Sequence, residues 1–175
     1  ADKQEAYEEK QKEEAEVQGF MPLQSYSEMK KGYGTQKSGD VTDWTVRPLS
    51  LKDKRAYGLK VDVKVFEPVF KKNCTLLIDE EAKVEEGDSV VIQCQNDEMV
   101  YVLIGTYSEA VKNDNSKFTI STPRPEGDID KYSFIDGKLV SDSSYKMSSE
   151  EYEEAIQDAG GQYQVACIHK IIVTR

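Results

Sequence analysis

Apolar and polar residues alternate along the chain from residue 56 onward, with a period of two. Alternation of this kind is typical of a half-buried β-strand, whose successive side chains point to opposite faces. The first such segment runs from Ala56 to Val65, and it places Lys60, Asp62 and Lys64 on its polar face. We predict a strand through Val65 whose apolar face comprises Leu59, Val61, Val63 and Val65.

Several short runs rich in β-branched and aromatic residues predict further strands. Between two of them, Asp136-Gly137 predicts a tight hairpin, because glycine tolerates the positive φ that such a turn demands. A strand-forming "WTVRP" precedes the first alternating segment. The other predicted strands are "CTLLID", "SVVIQCQ", "MVYVLIGTY", "KFTIST", the two halves of "KYSFIDGKLVS", and "QYQVACIHKIIVTR".

One helix is predicted near the C-terminus. Ser148 with Glu151 fits a capping box, and the segment continues to about Asp158 before Gly160-Gly161 ends it. Residues 1–18 are rich in Glu, Lys, Gln and Ala and carry almost no apolar stripe, so they predict a polar arm, either a solvated helix or disordered. The region 19–50 resembles an extended loop, and 51–175 is predicted to be a single, mostly β domain of antiparallel strands with this one short helix.

Charge and cysteine content narrow the function classes. The net charge is −10, and an acidic surface repels a phosphate backbone, so direct nucleic-acid binding by these residues is disfavoured. The chain has three cysteines, one histidine and no CxxC pair, which disfavours a zinc site and suits a reducing compartment. No apolar run is long enough to span a membrane. We therefore expect a cytoplasmic protein without a metal or another cofactor.

The segment "VDVKVFEP", Val61 to Pro68, resembles the hallmark of the LexA-like peptidase family, which includes LexA, the UmuD proteins and lambda-type phage repressors. That hallmark has the form V-x-G-D-S-M-E-P, followed by an apolar strand, an acidic turn and a lysine-bearing strand. Here "LLIDEEAKVEEGDSVVI" matches the strand, turn and strand, and "MVYVLIG" falls at the lysine strand. "AYGLKV" and "CIHKIIVTR" also occupy the family's positions, so the resemblance covers roughly residues 25–175 and implies a LexA-like β-clip fold.

The resemblance also implies that the catalytic chemistry has been lost. Family members use a serine nucleophile and a neutral lysine base, a pair that works because burial lowers the lysine pKa. The corresponding positions hold Val65 and Leu103, and neither side chain can attack or accept a proton. The family cleaves an Ala-Gly or Cys-Gly bond in an upstream loop, whereas "SYSEMKKGYG" places Lys31-Gly32 at that bond. We expect Val65 and Leu103 to fill the former catalytic slot with apolar contact.

By this resemblance the chain is the C-terminal oligomerisation and regulatory domain of a phage-type transcriptional repressor that does not cleave itself. DNA would be bound only through an N-terminal helix-turn-helix preceding Ala1, and release would depend on a protein antirepressor. The family pairs through its C-terminal region, which predicts a homodimer or higher oligomer. The predicted interface residues are Ile168, His169, Ile171, Ile172 and Val173.

Two alternatives stay open at this stage. The chain could be an active self-cleaving peptidase whose catalytic pair lies elsewhere, or an unrelated β-rich binding module. Among the other polar residues, a Cys74 nucleophile would require His169 to approach it. Lys64 is predicted to be a solvent-exposed lysine and Ser89 a turn or strand serine, while Thr75 has no base by spacing. A solvated turn is predicted for Glu85, Glu86 and Asp88, with a weak cation site as the alternative.

Overall fold

The computed structural model describes residues 19–29, 43–97, 100–142 and 163–175, together with Lys3, Glu5 and Ala6, which are helical. The predicted helix at 148–158 and the rest of the 1–18 arm lie outside these residues. The strands are β1 (Phe20–Ser25), β2 (Asp43–Val46), β3 (Tyr57–Lys60), β4 (Thr75–Asp79), β5 (Ser89–Gln95), β6 (Val100–Val111), β7 (Asp114–Pro123), β8 (Ile129–Ile135), β9 (Lys138–Asp142) and β10 (Gln164–Thr174). A four-residue helix, α1 (Tyr26–Met29), follows β1, and a 3-10 turn spans Pro125–Gly127.

All ten strands belong to one sheet, in the order β2-β1-β3-β4-β10-β5-β6-β7-β8-β9. The mostly β, mostly antiparallel fold is therefore confirmed, with β1 and β3 as a parallel pair. The sheet closes on itself, because Gln164 of β10 pairs with Lys138 of β9 as well as with Gln95 of β5. Strands β5 to β10 thus form a ring of six, and β1 to β4 extend from it as a wing.

Two large apolar cores occupy opposite faces of β5, β6 and β10, the ring strands that contribute side chains to both. The first core lies between the wing and the outer face of β5 and β6, and the second core lies inside the ring. Strand β6 contributes to both, since Val102 and Ile104 face the first core while Leu103 faces the second. A third, small cluster of Met21, Leu51, Ala56 and Leu77 covers the other face of the wing.

The segment from residue 111 to 142 is part of the ring rather than a peripheral insertion. Its three strands place Phe118, Ile120, Tyr132, Phe134 and Leu139 in the second core. The predicted hairpin is confirmed, with Asp136 at φ 49° and Gly137 at φ 76° joining β8 to β9.

Two local predictions are wrong. The strand predicted through Val65 ends at Lys60, because the chain turns at Val61, whose N–H donates to the Cys74 carbonyl (2.9 Å). The region 19–50, predicted to be an extended loop apart from "WTVRP", contains β1 and α1. Strand β1 has a partner distant in sequence: Leu23 lies opposite Gly58 of β3.

Candidate functional site

The two positions that correspond to the family's catalytic pair lie in different surroundings. Val65 is 38% exposed and belongs to neither core. Leu103 is 1% exposed and lies inside the ring, in the second core. The predicted apolar plug of one slot by both side chains is therefore wrong. Strand alternation turns Leu103 away from the first core, which is the core that the neighbours of Val65 contact.

Val65 lies in the Pro68 turn, which we define as residues 61–73. Its ends are held together at Val61 and Asn73, since the Asn73 N–H donates to the Val61 carbonyl (2.6 Å). Asn73 has a φ of 74°, a left-handed conformation that asparagine tolerates better than most residues. Phe66 and Phe70 are buried in the first core, and the Phe70 N–H donates to the Phe66 carbonyl (3.0 Å). The turn is thus anchored by aromatic residues that flank its exposed valines.

Phe66 is the contact point between this turn and two other parts of the fold. The Tyr26 ring of α1 meets it edge-on, with centroids 5.1 Å apart and planes at 88°. The guanidinium of Arg124 lies 5.7 Å from the centre of the Phe66 ring, within the range of a cation–π contact. Edge-to-face and cation–π contacts are both directional, so they fix the orientation of the Pro68 turn on the six-stranded ring.

Arg124 links Phe66 to side chains in the interior of the six-stranded ring. Its Nε donates to Asp130 (2.7 Å), and its Nη2 donates to the Tyr132 hydroxyl (2.7 Å). That hydroxyl lies 3.0 Å from the hydroxyl of Tyr101. Burial alone would lower the pKa of Arg124, but the hydrogen bonds to Asp130 and Tyr132 outweigh it and the net shift is upward. The guanidinium therefore remains charged beneath the Phe66 ring.

An open cleft of about 550 Å³ lies between the Pro68 turn and the 3-10 turn that follows Arg124. Each wall presents a proline and a carboxylate, and the Pro68 wall also presents a lysine. Glu126 has a φ of 66°, and the exposed side chains of Val65, Val69 and Ile129 lie close in sequence to the lining residues. The cleft is lined by Lys64, Glu67, Pro68, Pro125, Glu126 and Gly127.

The segment upstream of the predicted cleavage bond is docked beside the Pro68 turn. Tyr26 donates from its hydroxyl to the Val102 carbonyl (2.8 Å), and burial raises its pKa far above the ordinary range, so it remains protonated. The Ser27 N–H donates to Asp62 of the turn (3.1 Å). Met29 is fully buried in the first core, and its carbonyl accepts from Gln93 (3.3 Å). Lys31 and Gly32 lie outside the described residues.

The thiols and the histidine do not form a nucleophile and base among the residues described. Burial raises the pKa of Cys74, that of Cys167 to about 11 and that of Cys94 to about 12, so all three remain protonated at neutral pH. A protonated thiol is a poor nucleophile. His169 instead faces Tyr57, with 3.2 Å between its Nδ1 and the Tyr57 hydroxyl, and burial lowers its pKa.

The predicted interface on β10 divides between core and surface. Ile171 is buried in the first core, so the prediction that it contributes to an apolar surface is wrong, whereas Ile168 is only half-buried against the second core. His169 is half-buried against Tyr57. Ile172 and Val173 remain exposed at the end of the strand.

The acidic turn between β4 and β5 binds its own backbone and neighbouring strands. Glu86 accepts hydrogen bonds from the Glu109 N–H and from the Ser108 hydroxyl (2.8 Å). Both lower the pKa of Glu86, and the bond from the Glu109 N–H has the larger effect. Asp88 accepts from the Glu85 N–H (2.8 Å) and lies 3.4 Å from Lys170 Nζ. These contacts agree with a structural role.

The sequence pattern did not identify Tyr26 and Arg124, although both contact Phe66 and so position the Pro68 turn. Tyr26 and Met29 are spaced three apart in "YSEM", a helical spacing that one turn is too short to reveal clearly. Arg124 lies between Pro123 and Pro125, where the pattern indicates only a connection between strands. Its role depends on Phe66, which is distant in sequence.

No helix in the described part of the chain is long and apolar enough to cross a membrane.

Comparisons with protein-family models, with curated proteins and with solved structures found no match.

Proposed function

We propose that the chain is a non-cleaving, LexA-like regulatory domain of a phage-type transcriptional repressor. The observation that carries the proposal is the double contact of Tyr26. Its ring packs on Phe66, next to Val65, and its hydroxyl binds the carbonyl of Val102, next to Leu103. The segment that would present a scissile bond is thus anchored to the sequence neighbours of both family positions, which hold valine and leucine.

The proposal separates docking from hydrolysis. Retained anchoring by Tyr26 and Met29 holds the upstream segment against the domain. The loss of the serine and lysine removes the nucleophile and the base that would cut it. A domain of this kind keeps the architecture of a self-cleaving switch and must be released by another route.

Incubation of the purified chain at alkaline pH tests the loss of hydrolysis. Deprotonation of a catalytic lysine drives self-cleavage in an active Ser–Lys enzyme, so a cleavable relative serves as the positive control. We expect this chain to remain intact by mass spectrometry. Two fragments that separate after Lys31 would overturn the proposal and favour an active peptidase.

We propose that the end of β10 joins two copies of the domain. The antiparallel ladder between β10 and β5 ends at Lys170, opposite Val90, while β10 continues to Thr174 along β4. Ile172 and Val173 are exposed in this last part. A two-fold axis there would bring two antiparallel strand ends together.

Sedimentation of two valine variants tests this assembly. Val173→Asp places a charge in the proposed contact, and Val111→Asp places the same charge at an exposed valine on the β6–β7 hairpin. We expect the first variant to be monomeric and the second to sediment as the unmodified chain does. Equal sedimentation of both variants would remove β10 from the contact.

Dimerisation would serve operator binding. Two helix-turn-helix domains tethered to one dimer gain effective concentration at paired half-sites. Release would then follow when an antirepressor protein binds the domain and changes its assembly. Pull-down from a host that carries the prophage tests this step, and induction by DNA damage without any bound protein would contradict it.

A further inference from the structure

We infer that the cleft between the Pro68 turn and the 3-10 turn is the docking site for a basic, aliphatic peptide segment of a partner protein. The inference rests on the proposed function, because it gives the chemistry of the partner that would replace self-cleavage. It assigns that partner to a surface distinct from the exposed end of β10.

The walls of the cleft supply an apolar anchor site. Pro68 and Pro125 line opposite walls, and proline rings present rigid CH surfaces at little entropic cost on binding. Val69 is 61% exposed next to Pro68, and Ile129 is 65% exposed close to the other wall. Exposed aliphatic side chains beside a concave site are typical of a protein-interaction surface rather than of a solvated turn.

The charges of the cleft favour a cationic partner. Two carboxylates, Glu67 and Glu126, and one lysine, Lys64, are among the described residues that line the cleft, and the whole chain has a net charge of −10. One carboxylate oxygen of Glu67 also accepts from the Lys72 N–H (3.2 Å). The left-handed backbone at Glu126, followed by Gly127 at φ 81°, exposes this carboxylate at the tip of its turn. A basic segment would be attracted to the site, and electrostatic complementarity chiefly governs the rate and specificity of such association.

The cleft adjoins a buried aromatic anchor of the first core. Phe66 lies next to Glu67 and contacts both Arg124 and Tyr26. A peptide that moves the Pro68 turn therefore acts on the side chain that anchors the upstream segment. A peptide bound in the cleft would therefore alter the packing of α1, through Phe66 and Tyr26, without touching α1 itself.

Synthetic twelve-residue peptides test the inference on the full chain. The probe alternates leucine with lysine, one control replaces lysine with glutamate, and another replaces leucine with serine. Binding is followed by ¹⁵N–¹H NMR, with amide shifts assigned along the chain. We expect only the leucine–lysine peptide to bind, with its shifts concentrated at residues 64–69 and 125–129, and affinity to fall as salt rises.

Charge-neutral variants locate the site. Glu67→Gln with Glu126→Gln keeps side-chain size and should weaken the probe about three- to tenfold, as expected for two exposed ion pairs. Asp43→Asn removes a carboxylate from exposed β2 and should leave the affinity unchanged. Equal weakening by both variants, shifts spread over the surface, or binding of a control peptide would overturn the inference, as would no binding at all.

A second copy of the chain is the competing occupant. If Val69→Asp converts a dimer to a monomer in sedimentation, the cleft is a self-contact and the inference is wrong. Failure of the docking experiment leaves the proposed function standing whenever the chain resists alkaline cleavage and dimerises through β10. Cleavage after Lys31 removes the proposed function itself, so the two failures are distinguishable.

Discussion

The first and second cores share strands β5, β6 and β10 but differ in what they hold in place. The second core is enclosed by six strands of the ring, and its members come almost entirely from regular β structure. The first core is closed by irregular pieces, namely the Pro68 turn and α1, which contribute Phe66, Phe70, Tyr26 and Met29. The ring is therefore a scaffold, and the first core is where attached segments dock.

This difference explains why positions 65 and 103, which the LexA-like resemblance pairs, lie in different surroundings. Val65 lies on a turn that covers the first core, so its side chain reaches solvent. Leu103 lies on β6, where the alternation of side chains points it into the second core.

The largest effect is expected for Leu103→Lys. A lysine at this position would bury an ammonium group inside an apolar ring without a partner, which costs about 4 kcal/mol or more of the free energy of unfolding. Val65→Lys is the matched control, and its exposed site should change stability by less than about 0.5 kcal/mol. Urea denaturation of both variants measures the contrast, and similar stabilities would show that the two positions share one environment.

Phe66→Ala should cost about 3–5 kcal/mol, because it removes a fully buried ring and leaves a cavity beneath the Pro68 turn. It also removes the contacts with Tyr26 and Arg124. Val69→Ala, in the same turn but exposed, is the control with little expected change. Hydrogen exchange should show lost protection in α1 for Phe66→Ala only, and unchanged protection would mean that the first core does not hold α1 through Phe66.

Tyr26→Phe keeps the ring on Phe66 and removes only the hydroxyl that binds the Val102 carbonyl. Loss of a buried hydrogen bond should lower the free energy of unfolding by about 1–2 kcal/mol, since the carbonyl is left without this donor. Thermal unfolding measures the change. Tyr107→Phe serves as a control in the second core, where the ring lies tilted against Phe118 with centroids 5.1 Å apart. A stability of Tyr26→Phe equal to that of the unmodified chain would remove the anchor.

The single histidine gives the first core a measurable pH dependence. Burial lowers the pKa of His169 below its ordinary 6.5, so the folded state binds a proton less readily than the unfolded state. Stability from this group is present above pH 6.5 and is lost as the pH falls through the lowered pKa. Nearby Glu80 and Asp53 act in the opposite direction, and Arg55 in the same one.

Unfolding temperatures between pH 7.5 and 5.5 test this dependence. We expect a decline for the unmodified chain and a flatter profile for His169→Gln, since Asp53, whose pKa is lowered, loses its contribution only in a more acidic range. Identical slopes would mean that His169 does not titrate differently on folding.

Local patterns predicted much of the scaffold. The apolar run "SVVIQCQ" became β5 with the bounds expected, and Asp136-Gly137 formed the hairpin, because both signals depend on residues adjacent in sequence. The end of β3 was missed for a physical reason. Val61 and Val63 continue to pack against the first core while the backbone turns, so alternation outlasts the ladder.

The candidate site was less predictable, because its contacts join distant residues. Position 65 was located by resemblance, but Phe66 meets Arg124 only through the closure of the ring. Likewise, β1 gains its place by parallel pairing with β3, and nothing in "FMPLQS" identifies Gly58 as its neighbour. Patterns of period two indicate which face is buried and leave open which core that face will meet.

The smallest effect is expected for Val65→Ser, which restores the family's nucleophile type at an exposed position. Stability should change by less than about 0.5 kcal/mol, because the valine side chain is 38% exposed and belongs to neither core. No self-cleavage is expected at alkaline pH, since Leu103 supplies no base and faces the ring interior. Mass spectrometry of Val65→Ser beside Val65→Ala separates a serine-dependent cut from background proteolysis. A cut in the serine variant alone would reveal a base near the Pro68 turn that is independent of Leu103. The separation of positions 65 and 103 between the Pro68 turn and the ring would then not prevent hydrolysis.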